Sequence, residues 1–435
     1  MKKIIYLLLL LIVFPLKISA GELNITAIDY GSEAFGDATL LESNGEYLLI
    51  DTGNNIESNK TIEYLKTNNI NKLSVYISHI HYDHYGRLKA ILNDTFFTIE
   101  NLYLPNSNHL FKYTAEEYSE KSWYEYMNNY AYRNSNSFNS VIELANQKNI
   151  PVTILTRNSK FDIGDAKAEV IWQAEENRFS PDNFTTLNNP GGKYINNYSL
   201  VTMIKVDKTK FLTAGDIEVE TEEDILNNNI DIKANIYKMS HHAGRTSNIE
   251  DFINKVNPEY TYYQYNGDNE TTFGTNNWVN ENVNRIKNIS NVYSSRYNGT
   301  TTFNIKNNEI TARPERNYYT IKILYKDIDT DEIIKEKDYI FNNASTYHLK
   351  NYSIEIPEYK LIKTDKNSQI KEDGNLTENI EYNIYYKKTE KKQEQNNKYS
   401  QIVNVPNTKA NTPLYITLLG ISLIAFSYFI KKLLT

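Results

Sequence analysis

Three of the seven histidines in this chain fall within the ten residues SHIHYDHYGR, as His79, His81 and His84, with Asp83 beside the last of them. Imidazole nitrogen and carboxylate oxygen are donors for borderline divalent cations, and the order His-x-His-x-Asp-His offers enough of them for two ions. Histidine is sparse elsewhere, so the crowding reads as a site rather than as an accident of composition. The flanks say how it is held. LSVYIS, just before it, is a β-branched and aromatic run, and YGRLKAIL, just after it, has helical spacing. The cluster therefore sits on a strand-to-helix loop.

Four further stretches fall at strand ends, where α/β proteins collect functional groups. YLLIDTG puts Asp51 at a strand tip before a glycine turn, and FLTAGDIEVE does the same for Asp216. IYKMSHHAGRTSN ends a strand in His241 and His242, and NNYSLV opens one with Asn196 and Ser199. A lone strand-end aspartate is commonly a turn cap. In series with the histidine cluster, these strand-end stretches together are a strong signal of one functional site.

The rest of the chain supplies the frame. Its 435 residues suffice for a catalytic domain and an accessory module. A net charge of -7 and the lack of a basic stripe argue against a nucleic-acid footprint, and the absence of cysteine removes disulfides and thiolate metal sites. Short apolar runs alternate with helical segments over residues 21–315, an α/β layered pattern, and 316–388 reads as strands only, a small all-β module. Residues 1–20 have the basic start, apolar stretch and small-residue end of a secretory leader, 389–404 is a polar linker, and 405–435 carries an apolar segment followed by Lys431 and Lys432.

GDATLLESNGEYLLIDTG, SHIHYDHYGR, FLTAGDIE and SHHAG together resemble the metallo-β-lactamase superfamily across nearly all of the first domain, and within it the hydrolase domain of ComEC-type competence proteins and the phosphorylcholine esterase module. That resemblance implies an αββα sandwich with the site on one edge. By position it implies a first ion on His79 and His81, and a second on Asp83, His84 and His242. Asp216 would bridge them and Asp51 would orient a ligand from behind. Asn196 stands where many members have a further histidine. It implies two divalent ions of the zinc type and hydrolysis as the reaction, with Asp83 and Asp216 orienting the nucleophile and His241 assisting the leaving group; the doublet leaves the roles of His241 and His242 interchangeable.

ComEC-type domains carry a later histidine that the segment YTYYQYNGDNETTFGTNNW lacks, which favours a phosphodiester or phosphocholine-type ester over DNA. Tyr262, Tyr263, Tyr265 and Trp278 are candidates for an aromatic wall around a choline group. In YTIKILYKDIDTDEII, IPEYKLI and GNLTENIEYNIYYKK, residues 316–388 resemble MucBP-type modules, which implies a spacer, or an adhesive domain for a glycan or mucin. VPNT before the final apolar segment resembles a Gram-positive sorting signal, which implies sortase processing, or else a plain membrane anchor, and in either case a place on the bacterial cell surface. Two other functions stay open at this point: a nuclease acting on extracellular DNA, and an inactive hydrolase scaffold that presents an adhesive module. His109 and His348 are read as surface residues.

Overall fold

The computed structural model describes residues 21–29, 36–54, 59–107, 110, 137–180, 190–265, 278–342, 346–364, 373–376 and 378–389. The leader, nearly all of the linker, the C-terminal segment and His109 lie outside the described residues. Among the described residues no helix is long and apolar enough to cross a membrane.

In chain order the strands are β1 (Glu22–Ala27), β2 (Thr39–Ser43), β3 (Glu46–Ile50), β4 (Lys72–Tyr76), β5 (Thr98–Pro105), β6 (Val152–Leu155), β7 (Lys160–Ile163), β8 (Ala166–Trp172), β9 (Val201–Val206), β10 (Thr209–Thr213), β11 (Ile236–Lys238), β12 (Tyr260–Tyr263), β13 (Asn291–Ser294), β14 (Thr301–Lys306) and β15 (Glu309–Pro314). They make two sheets, in the orders β15-β14-β1-β2-β3-β4-β5-β6 and β13-β12-β11-β10-β9-β8-β7. Each sheet is antiparallel on one side and parallel on the other: β3 to β6 run parallel in the first, and β10 to β13 in the second.

The period-2 alternation of side chains explains the stacking. Leu48, Ile50 and Tyr76 point into a core shared with Val170, Ile204, Phe211 and Ile236 of the other sheet. Leu49 and Val75 point the opposite way, under the helices Lys60–Thr67, Leu88–Asn93 and Phe138–Gln147. Likewise Met203, Leu212 and Tyr237 face the helices Val219–Asn227 and Glu250–Val256. The result is the αββα sandwich expected from the sequence. A fully buried Leu or Ile contributes about 1.5–3 kcal/mol, so these three apolar layers hold the fold and leave the polar loops at one edge free to serve chemistry.

Residues beyond β15 form β16 (Tyr318–Asp327), β17 (Ile333–Asn342), β18 (Thr346–His348), β19 (Tyr359–Thr364), β20 (Asp373–Asn375) and β21 (Ile380–Lys388). Four of them make a sheet in the order β17-β16-β21-β19, and β18 pairs with β20. Ile321, Ile323, Tyr325, Tyr382 and Tyr386 share a core of their own. His348 is a surface residue, as expected, and its Nδ1 lies 2.6 Å from Asp373 Oδ1.

Candidate metal centre

The strand ends deliver the site as the motif order suggests. Asp51 follows β3 in a left-handed conformation (φ 57°), Ser78 and His79 follow β4, and Asp216 follows β10. Gly215 is required before Asp216, because at its φ of +53° a Cβ would lie 2.8 Å from the Ser199 Cβ. Ser199 Oγ accepts the Asp216 N–H at 3.1 Å, which gives the NNYSLV stretch a structural part in the site.

At the centre stands one atom, Asp216 Oδ2. It lies 3.1 Å from His84 Nε2, 3.2 Å from His242 Nε2 and 3.9 Å from His79 Nε2. His81 Nδ1 faces His79 Nε2 at 3.0 Å, and Asp83 Oδ2 faces His242 Nε2 at 3.1 Å. Among the described residues two groups bring their donor atoms within 4.8 Å of one another: His79, His81 and Asp216, and Asp37, His84, Asp216 and His242. Asp216 belongs to both. Its Oδ1 is buried without a hydrogen-bond partner, and two ring nitrogens 3.0 Å apart are the paired donors that a cation chelates. The residues present therefore suit divalent ions.

Titration behaviour fits the same use. Burial drives His79 well below the usual histidine range and His81 to about 4, so both rings are neutral, the form that ligates a metal. Burial opposes charge on His84 and His242 as well, but Asp216 with Asp51 and Asp37 raises both well above the usual range. Burial likewise works against an ionised Asp216, and the imidazoles of His242 and His84 nevertheless hold it well below the carboxylate range.

Each of these two histidines gives its other nitrogen to a carboxylate. His84 Nδ1 donates to Asp51 Oδ2 at 2.8 Å, the orienting role expected of Asp51, and Ser78 fixes that carboxylate through its N–H at 2.8 Å and its hydroxyl at 2.7 Å. His242 Nδ1 donates to Asp37 Oδ1 at 3.1 Å. Asp37 is a site residue that the motif reading passed over, although it stands in the quoted GDATL. Its signal was an aspartate after a glycine at the entry to β2, the same pattern as Asp216.

The doublet resolves in favour of His242, which joins the cluster. His241 points elsewhere: its ring is 31% exposed against 6% or less for the rings of His79, His84 and His242. Thr246 Oγ1 lies 3.2 Å from its Nδ1, and Asn196 Nδ2 lies 3.4 Å from its Nε2. Asn196 is buried and donates to Glu218 Oε1 at 2.8 Å. The aromatic wall is corrected by the structure. Neighbours on a strand face opposite ways, so Tyr262 enters the core between the sheets and bonds Thr39 Oγ1 at 2.9 Å, while Tyr263 and Tyr265 enter the core under the helices. No side-chain placement is described for Trp278.

His241, His242 and Ala243 are all left-handed, with φ of 52°, 52° and 64°. Three such residues in a row cost roughly 1 kcal/mol or more each, so the surroundings must impose the turn. Asn248 brackets Ser240, its Oδ1 accepting the Ser240 N–H at 3.2 Å and its Nδ2 donating to the Ser240 carbonyl at 2.9 Å. Asn282 donates to the carbonyls of Ala243 and Gly244 at 2.9 and 2.7 Å. Behind Asn248, the buried Glu222 accepts the N–H groups of Asn248 and Ile249 at 2.7 and 2.9 Å.

Burial lifts Glu222 from 4.5 to about 8. For a carboxyl raised on folding, the stabilisation is full below the unfolded value and is lost as pH climbs from about 4.5 to about 8. The expected result is that Glu222→Gln gains stability relative to wild type as pH rises through that window. Parallel urea unfolding of both proteins at pH 5 and pH 8 checks it; a constant difference between them would contradict it.

An αββα sandwich with this His/Asp cluster at one edge is a metallo-β-lactamase fold with a candidate metal centre. Residues 26–247 match the family described as anti-Pycsar protein Apyc1, and the chain belongs to that family. It is also similar to ComE operon protein 3 of Bacillus subtilis (strain 168), at 24% identity over 58% of this chain. The match spans 29% of that relative's length. Among solved structures it is similar to the metallo hydrolase Igni18 of Ignicoccus hospitalis, at 13% identity over 64% of this chain and 98% of that one, with a TM-score of 0.36. It is similar as well to the metallo-β-lactamase fold protein YhfI of Bacillus subtilis, at 9% identity over 67% of this chain and 100% of that one, with a TM-score of 0.36.

Proposed function

We propose that this protein is a dinuclear phosphoester hydrolase. The observation that carries the proposal is the place of Asp216 Oδ2, within 3.9 Å of three imidazole nitrogens that come from two separate donor groups. His79, His81 and Asp216 would hold one ion, and His84, His242 and Asp216 the other, with Asp83, whose Oδ2 faces His242 Nε2 at 3.1 Å, in place of Asp37, which faces the opposite nitrogen of that ring. Two divalent ions, which we take to be zinc from the nitrogen and oxygen donors, would supply Lewis acidity toward phosphoryl oxygens and lower the pKa of water there when bound.

The chain's own residues do the rest. Asp51 and Asp37 keep the rings of His84 and His242 turned toward the centre. His241, left out of the donor groups and partly exposed, would give a proton to the departing oxygen, with Thr246 beside its Nδ1. The acidic balance of the chain and the missing later histidine favour a small phosphodiester over DNA. Burial of the three tyrosines removes them as an aromatic wall for a choline ester.

His241→Ala is expected to lower turnover roughly a hundredfold while both ions are retained, the signature of a lost acid-base group. Elemental analysis beside the rate measurement separates this from loss of a ligand. For the substrate class, the metal-loaded protein is offered bis-p-nitrophenyl phosphate, p-nitrophenylphosphocholine, single-stranded DNA and nitrocefin. Turnover of the phosphodiester supports the reading. Cleavage of DNA alone would replace it with a nuclease, and no cleavage by fully loaded protein would contradict it.

A further inference from the structure

Lys238 is a charged residue in the last place a strand pattern would put one. It ends β11 between the buried Tyr237 and Met239 and is itself 2% exposed. Moving an ammonium that deep costs several kcal/mol unless its charge and its protons are met. They are met in a specific way. Nζ forms a close ion pair with Asp37 Oδ2, donates to the Gly215 carbonyl at 3.2 Å and donates to the Met239 carbonyl at 3.3 Å.

Each of those three acceptors belongs to a different loop of the centre. Asp37 leads into β2, Gly215 carries Asp216, and Met239 leads into the left-handed turn of His241 and His242. The other oxygen of Asp37 takes the His242 Nδ1 proton at 3.1 Å. A chain of contacts thus runs from Lys238 through Asp37 to His242, whose Nε2 faces Asp83 and Asp216 at 3.1 and 3.2 Å. The other histidine, His84, donates instead to Asp51, which Ser78 holds, and Asp37 Oδ2 lies further off, 3.7 Å from the same His84 Nδ1.

We propose that Lys238 is a positioning residue of the centre, fixing Asp37 so that this carboxylate orients His242 and stays out of the coordination of the ion that His242 helps to hold. The inference rests on the dinuclear reading above. Without Lys238, the buried Asp37 loses its one ammonium partner, keeps only the imidazoles of His242 and His84 beside it, and is free to turn from the His242 Nδ1 toward an ion. With Asn at position 37 no counter-charge is needed, and the amide oxygen can still accept the His242 proton.

The test is a zinc competition titration of the full-length chain against a chromophoric chelator, with no substrate present. Wild type is expected to take up two ions. Lys238→Met should weaken one of them by about tenfold to a hundredfold, the usual effect of losing a partner behind a ligand, and leave the other unchanged. The double variant Asp37→Asn with Lys238→Met should return the weakened ion to within about threefold of wild type. Two ions at wild-type affinity in Lys238→Met, or a double variant no better than the single one, would overturn the inference while the dinuclear reading stands. If Lys238→Met does not fold, the double variant decides alone: two ions support the inference and one overturns it. Fewer than two ions in wild type would overturn the dinuclear reading itself, and this inference with it.

Discussion

Asp216→Ala is expected to abolish turnover and to release both ions, the largest effect of any single replacement in this protein. Its carboxylate is the one member common to the two donor groups, and its Oδ2 is the atom on which the nitrogens of His79, His84 and His242 converge. Removing it leaves the first group with two imidazoles and takes the central carboxylate from the second. The fold should survive, because the aspartate sits after β10 and the apolar layers do not include it. Elemental analysis with a far-ultraviolet spectrum checks this. A folded variant that keeps two ions would show that Asp216 is not shared.

The second large effect is on stability. Stripping the ions with a chelator should lower the unfolding free energy by about 4 kcal/mol for each ion, about 8 kcal/mol for the pair, relative to protein held in zinc at a thousandfold excess over each dissociation constant. The gap should also depend on pH in a definite direction. In the metal-free protein Asp216 and its neighbours raise His84 and His242 well above the usual range, against the effect of burial. For groups raised on folding, the stabilisation is present at low pH and is lost as pH rises through the folded value. The ions compete with those same protons, so their affinity rises with pH. Both trends point one way: the difference in melting temperature between loaded and stripped protein should widen from pH 6 to pH 8. A gap that narrows over that range would contradict the assignment of His84 and His242 as ligands.

Much of this centre could be read before any coordinates. The His-x-His-x-Asp-His spacing, the strand-end Asp51 and Asp216, and the apolar runs before each of them follow directly from periodicity and donor chemistry, and the two sheets place them together. The doublet could not be resolved that way. Adjacent residues in a left-handed turn point in directions that no spacing rule gives, and contacts from Asn248 and Asn282, far along the chain from the first histidines, set them. Lys238 was hidden because a lysine in a strand is ordinarily a solvent-facing residue; only the third dimension supplies Asp37, two hundred and one positions away, as its partner. The tyrosines misled for the opposite reason. Tyrosine serves cores and binding walls alike, and YTYY alternates between two cores, so a cluster in sequence is divided in space. Asn196 was legible as a departure from the histidine expected there, but its use in holding Glu218 was not.

The most direct test of the central claim is a zinc titration of metal-free protein with bis-p-nitrophenyl phosphate hydrolysis as the readout. The predicted result is little turnover through the first equivalent and a rise to full activity with the second, because the phosphodiester needs both donor groups filled around Asp216. Full activity at one equivalent, or none when two are bound, would contradict a dinuclear phosphoester hydrolase.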